Sequence, residues 1–468
     1  MGLPVLNSVL GVVQQEVPKL NRIAFVCVQH LLDSTLDIFE ALLQLGAKPE
    51  NVFLLGKHYS TSPEVVEKAQ ELGIQVQNFT PLTQLGTYKE VFDQDITNLW
   101  LQVRRFLEKN THSIDKLIVL DDGGKCFKSI PKDILREYNV VGIEQTTAGL
   151  TEINSIKFHD SVYIDIAKSA SKSLEVGMVS NAVVNKIANQ LPCPQANPAF
   201  GIVGVGAIGT ALAKRLASVG YNVSLYDPQY KENKNNNLNS YLTSGQNIKK
   251  LRRAFTRNFQ DLRPEPGKLE WVDSVETLFQ KSEYIFGCTG KDFTKDLDID
   301  KLLVGNKHLI SCSSEDKEFL SILHRIQERN PNNNWDPLKD IYWQKDSNSL
   351  IHLVKGGFPC NFDDTGTSVP AEDIQLTRAL IFGGLIQAVI TYSSYKMNRI
   401  RGTMMLDPSM QRYIVSKWAE CREVRDPKID QFKDFNWIIK NSNGQFHQLS
   451  HFSALFEKEN QLMVKEAS

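Results

Sequence analysis

The sequence predicts an α/β protein built from two parallel-sheet domains, and three observations carry that prediction. The first is a rhythm near the start of the chain, where short β-rich runs alternate with segments of helical spacing that end at glycine. The second is the mid-chain run Phe200-Gly201-Ile202-Val203-Gly204-Val205-Gly206-Ala207-Ile208-Gly209, an apolar strand that must turn sharply into a helix. The third is length: 468 residues exceed one ordinary core and call for two or three domains.

Taken in order, Arg22–Cys27 reads as a strand, Leu36–Leu45 as a helix closed by Gly46, and Val52–Leu55 as a second strand. Val65–Leu72, closed by Gly73, is the next helix, and Leu117–Leu120 is a strand running into Asp121-Asp122-Gly123-Gly124. Pro192, Pro194 and Pro198 break helices and mark a connection just before the glycine run. After it, Leu212, Ala213 and Leu216 give a helix with one apolar face, and Val223–Tyr226 is a strand ending at Asp227. Lys231–Asn239 reads as a solvated insertion, and strands resume at Tyr284–Phe286 and His308–Ser311. Leu376–Ile390 contains Arg378, Gly383, Gly384 and Gln387, which makes it too short and too polar to span a bilayer, so a buried helix is expected. Met404–Trp418 has partial helical periodicity; beyond it, Trp437 belongs to no interpretable motif.

The glycine run implies a doubly wound, Rossmann-type sheet with a dinucleotide site. Gly204 suits the turn, Gly206 lets backbone approach a pyrophosphate, and Gly209 lets helix and strand pack closely. The free N–H groups around Ala207 and Ile208 at the helix start then face the phosphates. Asp227, at the end of the next strand, can accept hydrogen bonds from both ribose hydroxyls and would repel a 2′-phosphate, so the expected cofactor is NAD rather than NADP.

Other classes are excluded by bulk properties. A formal charge of −1 gives no field to draw in nucleic acid or an anionic membrane, and neither partner is expected. The basic cluster of Lys249, Lys250, Arg252, Arg253 and Arg257 reads as a solvated helix face, with a phosphate patch as its alternative. The seven cysteines, Cys27, Cys126, Cys193, Cys288, Cys312, Cys360 and Cys421, are odd in number and scattered, with no CxxC pair. That pattern argues against a disulfide framework and a zinc site, and no metal is expected. The first residues lack the basic start and long apolar run of a secretion signal, with Glu16 and Lys19 interrupting early, so reduced thiols in a cytoplasmic protein are the expectation.

Three upstream segments, read with the glycine run, resemble S-adenosylhomocysteine hydrolase. They are Cys27-Val28-Gln29-His30 leading to Leu45-Gly46-Ala47, then Asp121-Asp122-Gly123-Gly124 followed by Gly142-Ile143-Glu144-Gln145-Thr146-Thr147-Ala148-Gly149, and then Ser171-Lys172-Ser173. Downstream, Ile285–Gly290 and Lys355–Asn361 line up as well, and order and spacing agree over roughly residues 20–395. The resemblance implies an α/β substrate-type domain over 1–175, an NAD domain over 176–352, a return segment over 353–400 packing on the substrate domain, and a C-terminal extension over 401–468. It also implies that bound NAD oxidises a ribose hydroxyl, making the neighbouring C–H acidic so that elimination, hydration and return of the hydride give net hydrolysis. Residue by residue, it makes Lys172 the base at the hydroxyl, His30 a proton-transfer group and Asp122 the carboxylate beside it. Gln145 and Thr146 would face the substrate, and Thr289 and Asn361 the nicotinamide half.

This chain departs from that pattern where the nucleoside is gripped. Leu174-Glu175-Val176-Gly177 replaces an aspartate and asparagine, Gln145 a ribose-binding glutamate, and Leu32 a threonine. Ser313-Ser314-Glu315-Asp316 stands for a GHFD segment, a GHPS segment is absent around Asp364–Val369, and the family's intersubunit tail is not recognisable. Each lost buried polar contact costs about 1–3 kcal/mol, which points to another substrate. Three readings remain open: an NAD-dependent enzyme oxidising a hydroxyl of a different small molecule, with or without elimination and hydrolysis; a catalytically silent NAD-binding regulatory relative; and an adenosylhomocysteinase with rebuilt contacts. A homodimer is expected by analogy, with 401–468 as a replacement contact.

Overall fold

The computed structural model describes residues 2–82, 87–154, 162–175, 183, 198–218, 220–228, 267–331, 335–362, 365–368, 370–393, 402–421, 438 and 450–466. Lys231–Asn239, the Lys249–Arg257 cluster, Pro192, Pro194, Cys193 and Trp437 lie outside the described residues. The strands are β1 (Ile23–Leu31), β2 (Val52–Thr61), β3 (Gln75–Val76), β4 (Lys116–Asp121), β5 (Asn139–Glu144), β6 (Val162–Asp165), β7 (Phe200–Val203), β8 (Val223–Tyr226), β9 (Leu269–Trp271), β10 (Tyr284–Gly287), β11 (Lys307–Ser311), β12 (Ile341–Asp346), β13 (Ser349–Leu353) and β14 (Gly402–Met405).

The chain divides into two compact units. Unit 1 comprises Met1–Glu175 and Asp364–Ser468, and unit 2 comprises Val176–Asp363. The return to unit 1 thus falls after residue 363 rather than at 353. The reason is local: Val354 and Cys360 are buried in the unit 2 core, and Pro359 bridges Ser311 at the end of β11. The described parts of 401–468 belong to unit 1 as well, where β14 pairs with β6 and the helix Pro408–Cys421 packs on the helix Ser450–Glu466. The periodic stretch from Met404 is therefore not one helix. Met404 and Met405 lie in a strand, and the helix starts at Pro408, whose missing N–H costs nothing in a first turn.

Unit 1 holds a seven-stranded sheet in the order β14-β6-β5-β4-β1-β2-β3, with every neighbouring pair parallel. Its inner strands have apolar, buried centres because helices cover both faces of a parallel sheet, and their polar residues gather at the strand ends; β4 is buried throughout. The chain winds from β1 through β2 to β3 on one side, then returns to β4 on the other, so β1 and β4 flank the switch point. The expected apolar helix lies within Ala371–Ser393, packed against Pro4–Val13, Asp33–Gln44 and Pro408–Cys421. Among the described residues it contains the one span long and apolar enough to cross a membrane, Ile374–Thr391, and 89% of that span is buried inside the protein.

Unit 2 holds a second seven-stranded sheet, ordered β9-β8-β7-β10-β11-β13-β12, parallel except for the edge pair β12–β13. This is the doubly wound order in which the switch point lies between the first strand and the fourth, here β7 and β10. One core cluster, from Phe200 and Ile202 to Leu212 and Leu216, joins the sheet to the helix Ala207–Ser218.

Candidate functional site

In parallel α/β sheets, ligands bind beyond the carboxyl ends of the strands at the switch point, where the diverging loops leave a crevice. In unit 1 those ends carry His30 on β1 and Asp122 just past β4. The neighbouring strands add Lys57, level with the end of β1 where β2 bulges, and Gln145 just past β5. The four side chains meet. Lys57 Nζ donates to Asp122 Oδ1, Gln145 Nε2 donates to Asp122 Oδ2, and His30 Nε2 lies 3.4 Å from the same oxygen. The other imidazole nitrogen, Nδ1, is bonded to Ser60 Oγ.

Local structure explains the convergence. Pairing of β1 with β2 runs Gln29 to Gly56 and then Leu31 to Thr61, so β2 bulges over residues 57–60. Gly56 makes this possible, since a Cβ there would sit 2.2 Å from Thr61 Oγ1. Beneath Asp122 and Gln145, the paired residues Asp121 and Glu144 point the other way and hold the loops: Asp121 Oδ2 accepts from Phe127 N at 2.8 Å, and Glu144 Oε1 accepts from Thr146 N at 2.7 Å and Gly123 N at 3.2 Å. A Cβ on Gly124 would meet Gly149 O at 2.5 Å, which explains why the DDGG and TTAG segments occur as a pair. The Thr146 hydroxyl is engaged in the same scaffold, bonded to Glu144 Oε1 at 2.6 Å.

Electrostatics follow from this packing. Burial opposes charge on Asp122, but Lys57, His30 and the hydrogen bonds from Lys57 and Gln145 outweigh it and hold the carboxyl below its usual range. Burial pushes His30 down to about 3; Asp122 resists, while Lys57, Arg378 and Lys172 add to the fall. Imidazole is therefore neutral at neutral pH. Burial raises Asp121 to about 6 and Glu144 well above the carboxylate range. Lys172 is half-buried on the turn Ser171–Glu175, which Ser171 Oγ anchors to Gln411 Oε1 at 2.7 Å, and it lies close enough to bear on His30. Arg378 reaches the same region from the helix Ala371–Ser393, with Nε donating to Ser34 Oγ at 3.0 Å. Sequence reasoning missed Lys57. The available signal was a lysine inside the β-rich run that begins at Val52.

In unit 2, Gly204 has φ +93° and a Cβ there would lie 2.7 Å from the Cys288 carbonyl. A Cβ on Gly209 would fall 1.9 Å from Gly204 O, whereas Gly206 is exposed and faces open space. Ala207 and Ile208 begin the helix Ala207–Ser218, and Asp227 Oδ2 accepts from Val205 N at 2.8 Å, drawing the acidic group to the glycine turn. This cradle of exposed backbone beside a carboxylate suits a dinucleotide. Thr289 follows β10 at the switch point, its Oγ1 2.7 Å from Glu318 Oε2; Asn361 is half-buried just after the Pro359 bridge to β11. Among the described residues, no group of three or more His, Cys, Asp or Glu is disposed to hold a metal ion.

Comparison with known proteins bears on unit 2 most directly. Residues 188–252 match the family described as D-isomer specific 2-hydroxyacid dehydrogenase, NAD binding domain. Two curated relatives, the uncharacterized proteins MT0113 and Rv0104 of Mycobacterium tuberculosis strains CDC 1551 / Oshkosh and ATCC 25618 / H37Rv, are each 28% identical over 378 residues, covering 79% of this chain. The chain spans 65% of the length of these relatives. Among solved structures, the NADPH-dependent glyoxylate/hydroxypyruvate reductase of Sinorhizobium meliloti in complex with citrate is similar with a TM-score of 0.35 at 9% identity, covering 81% of this chain and 99% of that one. The 2-hydroxyacid dehydrogenase of Ketogulonicigenium vulgare Y25 gives 0.34 at 12% identity, covering 70% and 92%. Unit 2 is an NAD-type dinucleotide-binding domain similar to that of the D-isomer specific 2-hydroxyacid dehydrogenases.

Proposed function

We propose that this protein is an NAD-dependent oxidoreductase of the adenosylhomocysteinase type, which oxidises a hydroxyl of a small molecule other than S-adenosylhomocysteine held at the unit 1 switch point. The observation that carries the reading is the meeting of His30, Lys57, Asp122 and Gln145 from four neighbouring strands at the carboxyl edge of that sheet. Buried polar groups gathered at such a crevice are a functional signature more than a structural economy. Gln145 Oε1 is buried without a hydrogen-bond partner and offers an acceptor to a substrate hydroxyl. When bound, NAD supplies a hydride acceptor for the carbinol carbon. Lys172 takes the hydroxyl proton, and neutral His30, oriented by Ser60 and Asp122, is the second proton-transfer group. Gln145 removes the charge, and Leu32 the hydroxyl, that the family's usual residues carry at these positions, which favours a different substrate.

The test is to denature the purified protein, look for released NAD, and incubate the native protein with nucleosides and 2-hydroxy acids while following the NADH absorbance band. Reduction by one of these compounds, lost in Lys172→Ala, supports the reading. One observation favours a silent regulatory relative instead: Lys57 already neutralises Asp122, and His30 is held far from its ordinary titration range. NAD that binds but is reduced by no hydroxyl compound decides for that reading.

A further inference from the structure

The cysteines that look scattered in sequence form a row at the switch point of unit 2. Register pairs Gly287 with Ser311 across β10 and β11, and Pro359 bridges Ser311 on the far side. The ladder continues one residue further, with Cys312 N donating to Gly287 O at 2.9 Å and Cys360 N to Ser311 O at 3.2 Å. Cys288, Cys312 and Cys360 therefore stand side by side, one position beyond three registered partners, on a shared face of the sheet. The Cys312 thiol is within hydrogen-bonding reach of both neighbours; those contacts and burial hold its proton on. Next in the row is Gly204, the turn glycine, packed against the Cys288 carbonyl, and Val205 and Ile208 of the dinucleotide turn rest on the same core cluster as the thiols. Three thiols in line do not surround an ion, in keeping with the lack of a metal-holding group among the described residues.

We propose that Cys288 and Cys312 form a reversible disulfide under peroxide and that its closure weakens dinucleotide binding. Neighbouring strands lie about 4.8 Å apart, inside the span of roughly 4.4–6.8 Å that a disulfide requires between Cα atoms. Cys288 is partly exposed and meets the oxidant first, whereas Cys312 and Cys360 are buried. The Cys288 thiolate attacks one peroxide oxygen, the O–O bond breaks, and Cys288 becomes a sulfenic acid as hydroxide leaves and takes up a proton as water. Cys312 sulfur then attacks Cys288 sulfur; the S–S bond forms, the S–O bond breaks, and a second water departs with the Cys312 proton. Two thiols are oxidised and one peroxide is reduced; a small dithiol reverses the step. The two sulfurs close from non-bonded contact to about 2.05 Å, which shifts the Cys288 backbone against Gly204, where a displacement of a few tenths of an ångström is felt by the turn. The effect on binding rests on the NAD reading of unit 2, while the disulfide itself does not.

The experiment uses the reduced full-length chain, titrated with hydrogen peroxide, alkylated, digested and read by peptide mass spectrometry, with NAD affinity measured by calorimetry before oxidation, after it, and after dithiothreitol. The expected result is a Cys288–Cys312 cross-linked peptide, Cys27 and Cys126 remaining as thiols, and an NAD Kd at least tenfold weaker that recovers on reduction. Cys312→Ser abolishes both responses, and Cys421→Ser, which changes an exposed thiol, preserves both. A link to another cysteine, or sulfinic acid on Cys288 without a link, overturns the disulfide. A Kd unchanged in the cross-linked protein overturns the control of binding, and absence of NAD binding in the reduced protein overturns the reading of unit 2 while leaving the mass-spectrometric answer intact.

Discussion

At the switch point of unit 1 the strand ends carry His30 and Asp122; at the matching place in unit 2 they carry Gly204 and Cys288-Thr289. Both sheets have seven strands and wind outward from a central pair, yet one crevice is furnished with charged side chains and the other with bare backbone. The difference follows from what each holds in the proposed reading. A pyrophosphate is met by N–H groups and needs side chains out of the way, whereas moving a proton needs titratable groups held in fixed mutual contact. A shared device lies at the opposite ends of the sheets. Lys116 begins β4 and donates to Ala388 O at 2.7 Å and Val389 O at 3.2 Å, and Lys307 begins β11 and donates to Phe279 O and Ser282 O, both at 2.7 Å. Each buried lysine amine bonds two carbonyls in the C-terminal part of a helix or just past it, and burial lowers the pKa of both amines.

The largest effect expected from this contrast is at Lys57. Lys57→Met leaves Asp122 buried without its cation and is expected to cost about 3–5 kcal/mol in chemical denaturation. The same substitution removes a charge that depresses His30, so the imidazole titrates at higher pH in the variant, visible by NMR. An unmoved His30 titration would break the claim that the site is one electrostatic unit. Next in size, Lys116→Met and Lys307→Met each expose two carbonyls to an apolar surrounding and are expected to cost about 1–3 kcal/mol. Similar losses in the two variants would show that the device is shared by the units.

The pH dependence sharpens the same contrast. His30 titrates at about 3 in the folded chain but at about 6.5 when unfolded, so between those values the unfolded chain carries the extra proton and stability falls as pH falls. Asp122, held low, acts in the same sense below the ordinary carboxylate range. Asp121, raised to about 6, opposes it, because the folded chain then holds the extra proton. His30→Gln should flatten the acid limb of a denaturation-versus-pH curve by up to about one proton, and a limb as steep as the parent's would contradict the burial of a neutral imidazole. The smallest effect belongs to a helix cap in unit 1. Thr87 caps the helix Tyr88–Lys109 in a reciprocal pair with Glu90, and Thr87→Ala should cost about 1 kcal/mol without altering NAD content.

What could be read from sequence divides along the same line. Backbone demands leave glycines at fixed spacing, so Gly204, Gly206 and Gly209 and the paired DDGG and TTAG loops were visible without coordinates. Lys57 was not, because Gly56 and Lys57 look like the end of a strand, and only the bulge shows that β2 continues to Thr61. Nor could β14 be found, since Gly402–Met405 joins β6 from the far end of the chain. Cys288, Cys312 and Cys360 are likewise scattered in sequence and become neighbours only through strand order. Local chemistry writes itself into short motifs, while convergence across strands depends on topology.

The division of labour between the two crevices can be tested most directly by measuring NAD content and substrate-driven NADH formation side by side in Asp122→Asn and Gly209→Val. Asp122→Asn is expected to retain NAD but form NADH at least a hundredfold more slowly, and Gly209→Val, whose added side chain collides with the Gly204 carbonyl, to retain none. NADH formation at the parental rate in Asp122→Asn, or full NAD content in Gly209→Val, would contradict that division.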